Sequence, residues 1–370
     1  MLRYFCSMIK SWIYKLARLE IALILLVILA GSIVRMTGSG MGCPDWPKCF
    51  GLLIPPTEQE QIEWKANHNY KQGQIIIYQE ELKVASQDFT TGKVYRSSNW
   101  DPYVKHDYAR FVPLQTWIEY INRLIGALAG VPMLLMVALS LMIIRSRPLL
   151  FVFSLAGLFL LGFEAWLGKL VVDGNLIPGS ITIHMMGALA VLLTLLAMES
   201  YLRKLSLNVE KLPRQVPYVM VGVVLLSVVQ IIFGTQVREQ IDQMVQQELA
   251  RIHWIENLNW KFKFHRSFSI LVFLANAYLW HHNGRHHWGF WQFRWVMIII
   301  VLEIITGIFM AYFYVPAPAQ PIHLLFSALL FALQGHALFS YFWFRKMGSV
   351  RPAATNPKRK GKVSGMEPFV

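Results

Sequence analysis

Charge is scarce in this chain. Asp, Glu, Lys and Arg make up 15% of its 370 residues, whereas soluble domains carry about a quarter. That shortage excludes an ordinary soluble globular protein. Acidic residues are the scarcer sign, 21 against 35 Lys and Arg, for a net charge of +14. A basic excess can signal nucleic acid. Here the basic residues sit in short segments between and beyond apolar runs, so no nucleic-acid partner is expected. No small-residue cleavage motif follows the first apolar run, which is also too long for a signal h-region, so it reads as a retained helix.

Apolar material is abundant: 55% of the residues are aliphatic, aromatic or sulfur-bearing, and the mean hydropathy is +0.42. Several runs reach the roughly 20 apolar residues that cross a bilayer. The expected architecture is all-α and polytopic, with eight transmembrane helices over about 18–38, 116–144, 149–171, 180–202, 216–238, 262–282, 290–314 and 320–344. Lys and Arg in short flanks set orientation. They occur at Arg3, Lys10, Lys15 and Arg18; at Arg145 and Arg147; at Arg203, Lys204, Lys211 and Arg214; and at Arg345, Lys346, Arg351, Lys358, Arg359, Lys360 and Lys362. With eight spans all of these share one side, which places both termini in the cytoplasm. The opposite side holds a long loop of mixed charge, about 40–115, and a second near 239–261.

The chain repeats itself. GSIVR (Gly31 to Arg35) ends the first span and GTQVR (Gly234 to Arg238) the fifth. EYINRLIG opens the second span and KFHRSFSI the sixth, aligning Asn122 and Arg123 with His265 and Arg266. EAWLG in the third span (Glu164, Gly168) matches EIITG in the seventh (Glu303, Gly307). Glu164 stands 20 positions before His184, and Glu303 stands 20 before His323. The pattern predicts two tandem four-helix units in parallel topology. One spans 1–210 and carries the long loop; the other spans 211–345; a basic cytoplasmic tail, 346–370, follows.

Spans two, four, six and eight all run inward, so Asn122, His184, His265 and His323 all fall near the outer ends of their helices. Two imidazoles from two helices of one bundle can approach opposite faces of a flat metal macrocycle, and bundle cores are where such sites are built. Haem iron takes His ligands, and two of them leave no open position, which suits electron transfer. Arg35, Arg238, Arg123 and Arg266 lie beside these positions, and Arg forms bidentate pairs with carboxylates such as haem propionates. Glu164 and Glu303 lie deeper, where a charge costs roughly 2.5–3.5 kcal/mol on insertion scales and such residues usually face a cavity.

Plainer roles fit some of the same residues. A His at a helix end also serves as an interfacial polar group, and an Arg there as a snorkelling anchor. HHNGRHH (His281, His282, His286, His287) reads as a solvated turn on the cytoplasmic side. His336 lies 13 residues past His323, roughly 20 Å deeper; a helix-contact role fits it better than a second haem site. His68, His106 and His253 are loop residues without an evident partner. Of the three cysteines, Cys6 is on the cytoplasmic flank, while Cys43 and Cys49 in GCPDWPKCFG face an oxidising compartment where they can pair or serve only as a staple. No Cys-x-x-Cys-His stretch occurs, which excludes covalent c-type haem.

The run GSIVRMTGSGMGCPDWPKCFG, the EYxxR motif and a His in each of the paired helices resemble the haem A synthase family over nearly the whole chain. That resemblance implies an eight-helix pseudo-symmetric protein of the bacterial inner membrane or the mitochondrial one. It implies an oxidoreductase that oxidises a ring methyl of haem O to a formyl group, giving haem A for cytochrome oxidase assembly. A haem b cofactor is implied in the C-terminal half and substrate haem O in the N-terminal half; haem O synthase and cytochrome oxidase assembly factors are the implied partners. By the resemblance His265 and His323 are the iron ligands of the cofactor, with Arg238 and Arg266 nearby. His184, Asn122, Arg123 and Arg35 surround the substrate, with His184 on its iron. The family's pattern has a His where this chain has Asn122, so His184 is implied to act alone or with another group or water. Glu119 is implied to be catalytic, accepting protons as the methyl is oxidised. Cys43 and Cys49 match a cysteine pair for which a disulfide is implied. A b-type electron-transfer or quinol-linked subunit and a haem carrier are the alternative readings.

Overall fold

The computed structural model describes residues 2–104, 110–173, 179–203 and 212–348. Lys204, Lys211, His106 and the tail beyond 348 lie outside them. Eight long helices dominate: α1 Leu2–Met36, α2 Pro113–Met142, α3 Pro148–Asp173, α4 Ser180–Leu202, α5 Val216–Gln246, α7 Trp260–His286, α8 Gln292–Tyr312 and α9 Ala319–Gly348, with a short α6, Trp254–Asn257. Each coincides with an expected span. Proline opens α2 and α3, a position where its missing N–H costs nothing.

Seven of the long helices are long and apolar enough to cross a membrane, and α7 is the one outside that group. Its ends carry Lys261, Lys263, His265 and Arg266, then His281, His282, Arg285 and His286. The chain is thus a multi-pass membrane protein. Large apolar side chains point outward at helical spacing, as at Leu124, Leu128, Val131 and Leu135 on α2. Lipid tails solvate such a face.

Two helices outrun their apolar runs. α1 begins 16 residues before the expected span, because Ile9, Ile13, Ala17, Glu20, Ile24 and Ile28 form one buried stripe at three- and four-residue steps. α5 continues past Arg238 to Gln246, because Ile241 and Met244 bury against Trp254, Leu258 and Val315.

Helix α1 packs on α2 and α4, α2 on α3, and α3 on α4. The same adjacency recurs among α5, α7, α8 and α9. Contacts of α9 with α1 and α4 join the two sets. The main core, with Met133, Met136, Leu192 and Phe331, lies among α1 to α4 and α9.

The first long loop is folded. β2 (Ile75–Tyr78), β3 (Glu81–Ala85) and β5 (Trp100–Pro102) form an antiparallel sheet in the order β2-β3-β5. β1 (Asn69–Tyr70) pairs with β4 (Phe89–Thr90). Gln79 and Glu80 turn the hairpin with positive φ, 53° and 64°. That is the twist a two-residue hairpin needs, made here without the Asn-Gly that usually signals it. Tyr70, Trp100 and Phe89 pack edge to face or tilted beneath it.

The loop is fastened to α2 at its start. Thr116 Oγ1 donates to the Gly42 carbonyl at 2.8 Å. A Cβ on Gly42 would stand 2.7 Å from the carbonyl carbon of Gln115 and 2.8 Å from the Thr116 nitrogen. Gly42→Ala therefore forces the loop off the helix. We expect a loss of about 1–3 kcal/mol in stability, read as a lower melting temperature in detergent; an unchanged melt would refute the close approach.

Candidate functional site

Helices α7 and α9 bring His265 and His323 close together, edge to face. Their ring centroids are 6.5 Å apart, with the planes at 71°. One metal bound to two imidazoles at about 2.0–2.1 Å sets the centroids roughly 6 Å apart, so this spacing suits a shared iron. The outer ring nitrogens are already engaged. His265 Nδ1 donates to the Gln230 carbonyl at 3.1 Å, and the Gln230 side chain donates back to the His265 carbonyl at 3.0 Å. His323 Nδ1 lies 2.7 Å from Glu303 Oε2 and 2.8 Å from Thr306 Oγ1. A partner on Nδ1 fixes the tautomer and leaves Nε2 free to ligate.

The first set of helices repeats this arrangement with one ring missing. His184 Nδ1 lies 2.7 Å from Glu164 Oε2, the same contact at the same sequence separation. The His184 side chain is 45% exposed against 23% for His323, so its ring is the more open. Asn122 occupies the position corresponding to His265, and its Oδ1 is buried with no hydrogen-bond partner among the described residues. A glycine on the adjacent helix faces each of the four positions. A Cβ would stand 3.8 Å from Asn122 Oδ1 at Gly31, 3.0 Å from His265 Cε1 at Gly234, 3.9 Å from His184 Cε1 at Gly168 and 3.6 Å from His323 Cε1 at Gly307. At Gly187 the added atom would overlap the Glu164 carboxylate.

Glu119 is 3% exposed and joins α2 to the loop. Its Oε2 accepts from the Cys43 N–H at 2.9 Å, and its Oε1 pairs with Arg123 at 2.5 Å. Arg123 also donates to the carbonyls of Asp45 and Lys48, at 2.7 and 3.0 Å. Cys43 and Cys49 form a disulfide inside the segment these groups hold. Burial pushes the Asp45 carboxyl above its ordinary range, against N–H donation from Gly51 and Phe50 and the nearby Arg123 charge.

Arg35 and Arg238 meet at one carboxylate. Asp242 pairs with Arg35 through one oxygen and with Arg238, at 2.7 Å, through the other. Arg238 also donates to the Arg35 carbonyl at 3.1 Å and to Gln320. Among the described residues Arg35 Nη1 is buried and unpartnered, an orphan donor that suits an acidic ligand group. Arg266 is exposed and lies over the Phe262 ring, 5.8 Å from its centroid.

The remaining histidines serve other ends. His336 links helices: its Nε2 is 2.9 Å from Glu199 and its Nδ1 2.7 Å from the Gln292 amide. His282 stacks on His286, with centroids 5.7 Å apart. His68 packs edge-on against Tyr70, and His253 lies 3.7 Å from Glu256. Among the described residues, no group of three or more His, Cys, Asp or Glu is placed to hold a bare metal ion.

Sequence reasoning missed Asp242, Gln230, Gln320 and Thr306, and read Glu164 and Glu303 as cavity-facing rather than as partners of His184 and His323. For the two glutamates a signal existed, the repeated 20-residue separation. For Asp242 the signal was its i,i+4 spacing from Arg238.

Residues 14–334 match the profile of the COX15-CtaA family, cytochrome oxidase assembly protein. Heme A synthase of Shewanella oneidensis is 24% identical over 188 residues, 51% of this chain and 44% of that protein. The match thus spans about half of this chain and less than half of that relative. With a family match covering most of its length and a site built from paired helices, the chain belongs to the COX15-CtaA family of cytochrome oxidase assembly proteins.

Proposed function

We propose that the protein is a haem A synthase, an oxidoreductase converting haem O to haem A by oxidising a ring methyl to a formyl group in two steps. The observation that carries this reading is the matched pair of ligand positions. One half has two imidazoles with centroids 6.5 Å apart; the other has one imidazole and Asn122. A closed site suits a resident cofactor and an open one suits a substrate. All eight long helices would then cross the bilayer as two tandem pseudo-symmetric units, 1–210 and 211–345, followed by the tail. The Lys and Arg flanks support cytoplasmic termini and a loop outside a bacterial inner membrane.

A haem b held by His265 and His323, when bound, supplies an electron exit from the substrate site. The chain's own residues do the positioning. Gly31, Gly168, Gly234 and Gly307 clear space for flat rings between helices. Arg35 offers its unpartnered Nη1 to a propionate, and Arg238 and Arg266 flank the second site. Arg123 orients Glu119 and holds the loop carbonyls. Glu119 sits where a carboxylate can take up protons from the reacting methyl. His184 holds the substrate iron through Nε2, with Asn122 too weak a ligand to close the far side. The carboxylate–arginine joint and the disulfide keep the loop over the first half. Haem O synthase would hand over the substrate, and oxidase assembly factors would take the product.

The test is pigment extraction from membranes of cells that make haem O but no haem A, with and without this protein. A formyl-bearing haem is the expected product. Haem O recovered unchanged, with the protein folded and haem-loaded, would instead indicate an electron conduit or a carrier.

A further inference from the structure

We propose that Leu53 and Ile54 form a docking tip that seats the folded first loop in the interfacial layer of the bilayer, at the N-terminal end of α2. The inference rests on the chain being a multi-pass membrane protein and is independent of the haem chemistry. Leu53 is 77% exposed and Ile54 69%, although Cys49 and Phe50 before them and Pro55 and Pro56 after them are buried. A lone exposed apolar side chain is ordinary. This adjacent pair is set apart by where its segment is pinned.

Residues 43–56 run beside α2 and wrap around it. On one side of that helix Glu119 and Arg123 hold the Cys43 N–H and the carbonyls of Asp45 and Lys48. The segment then reaches the other side, where the Trp117 Nε1–H donates to the Pro56 carbonyl at 3.2 Å. Leu114, Trp117, Ile121, Leu124 and Leu128 follow one another at three- and four-residue steps, and all but the half-buried Trp117 are exposed. They are the lipid-facing stripe of α2. Pro56 therefore rests on that stripe, one turn inside the helix start at Pro113, and the Cα of Ile54 lies within about 7 Å of the Pro56 Cα. Trp117 and Tyr120, with ring centroids 5.8 Å apart, are the residue types that mark a membrane–water interface. Leu53 and Ile54 thus continue an apolar surface that lipid already covers.

The backbone suits that place. Irregular chain is tolerated at the edge of hydrocarbon only where its polar groups are met. Cys49 and Leu52 exchange both N–H···O bonds, at 3.0 and 3.1 Å. The Gly51 N–H donates to Asp45 Oδ2 at 2.9 Å, and Pro55 and Pro56 have no N–H to satisfy. From behind, the Ile75 N–H of β2 donates to the Phe50 carbonyl at 3.1 Å, which braces the tip against the sheet. Glu58, Gln59 and Glu60 are exposed and carry the chain back to water.

Spin-label depth measurement on the full chain in lipid nanodiscs tests this without assaying turnover. Leu53→Cys and Ile54→Cys, each in a Cys6→Ser background with Cys43 and Cys49 left paired, take one nitroxide. Relaxation by oxygen, which concentrates in lipid, is compared with relaxation by a water-soluble nickel chelate. Lys93→Cys, at an exposed site of the same loop, gives the aqueous reference, and Leu124→Cys the lipid one. Labels at 53 and 54 should favour oxygen more than the label at 93 does, and report a depth of about 5–10 Å into the headgroup–acyl boundary, where interfacial apolar faces sit. An oxygen preference above the aqueous reference at either position supports the proposal. A ratio equal to that reference at both positions overturns it. Low access to both reagents at both positions also overturns it, since protein rather than lipid would then cover the tip.

Discussion

His265→Ala and His323→Ala are each expected to remove the low-spin b-type spectrum from the purified protein. Altering only a partner of a ligating histidine typically costs 10–100-fold in metal affinity; losing the ligand itself should cost more. Bound haem in that site is expected to fall at least tenfold in either variant. Folding should survive, because each ring makes a single set of Nδ1 contacts and Ala suits both helices. His184→Ala should leave this spectrum intact while lowering haem O retention. A wild-type spectrum in either His265→Ala or His323→Ala would remove the pair as ligands, and the functional reading with them.

Glu119→Ala and Glu119→Gln separate two roles of one carboxylate. In Glu119→Ala the Cys43 N–H loses its acceptor and Arg123 its counter-ion, with side-chain exposures of 12% for Arg123 and 4% for Glu119. Breaking a buried pair costs about 3–5 kcal/mol, so this variant should melt early and release its loop to proteases. Glu119→Gln keeps an oxygen for Cys43 and removes the charge. It should fold and load haem, yet form haem A about 10²–10⁴-fold more slowly, the usual contribution of a positioned proton acceptor. Haem A made at the wild-type rate by Glu119→Gln would leave the residue as a loop anchor only.

Much of this architecture is legible in the sequence because lipid imposes a simple rule: long apolar runs become helices. The repeated His, Arg, Gly and Glu positions were visible as aligned residue types. Their contacts were not. The approach of Glu164 to His184 depends on Gly187 leaving space on the helix that carries His184, and no spacing rule reports that. Helix α7 carries charge at both ends, so its hydropathy alone falls short of the other seven. The hairpin over 75–85 lacks Asn-Gly, the strongest turn signal, and so read as an irregular loop. Asp242 lay beyond the apolar end of the fifth run, yet burial of Ile241 and Met244 carries the helix past it. That extension brings Arg35 and Arg238, expected beside separate sites, to one shared carboxylate.

The shared acid has a thermodynamic corollary. Any acidic ligand that draws Arg35 away leaves Asp242 to Arg238 alone, and the reverse holds for a ligand on Arg238. If Arg35 and Arg238 each hold a ligand as proposed, occupancy of either half would alter affinity in the other, and linkage requires the influence to be equal in both directions. The enzyme would sense through one carboxylate whether its neighbouring berth is filled.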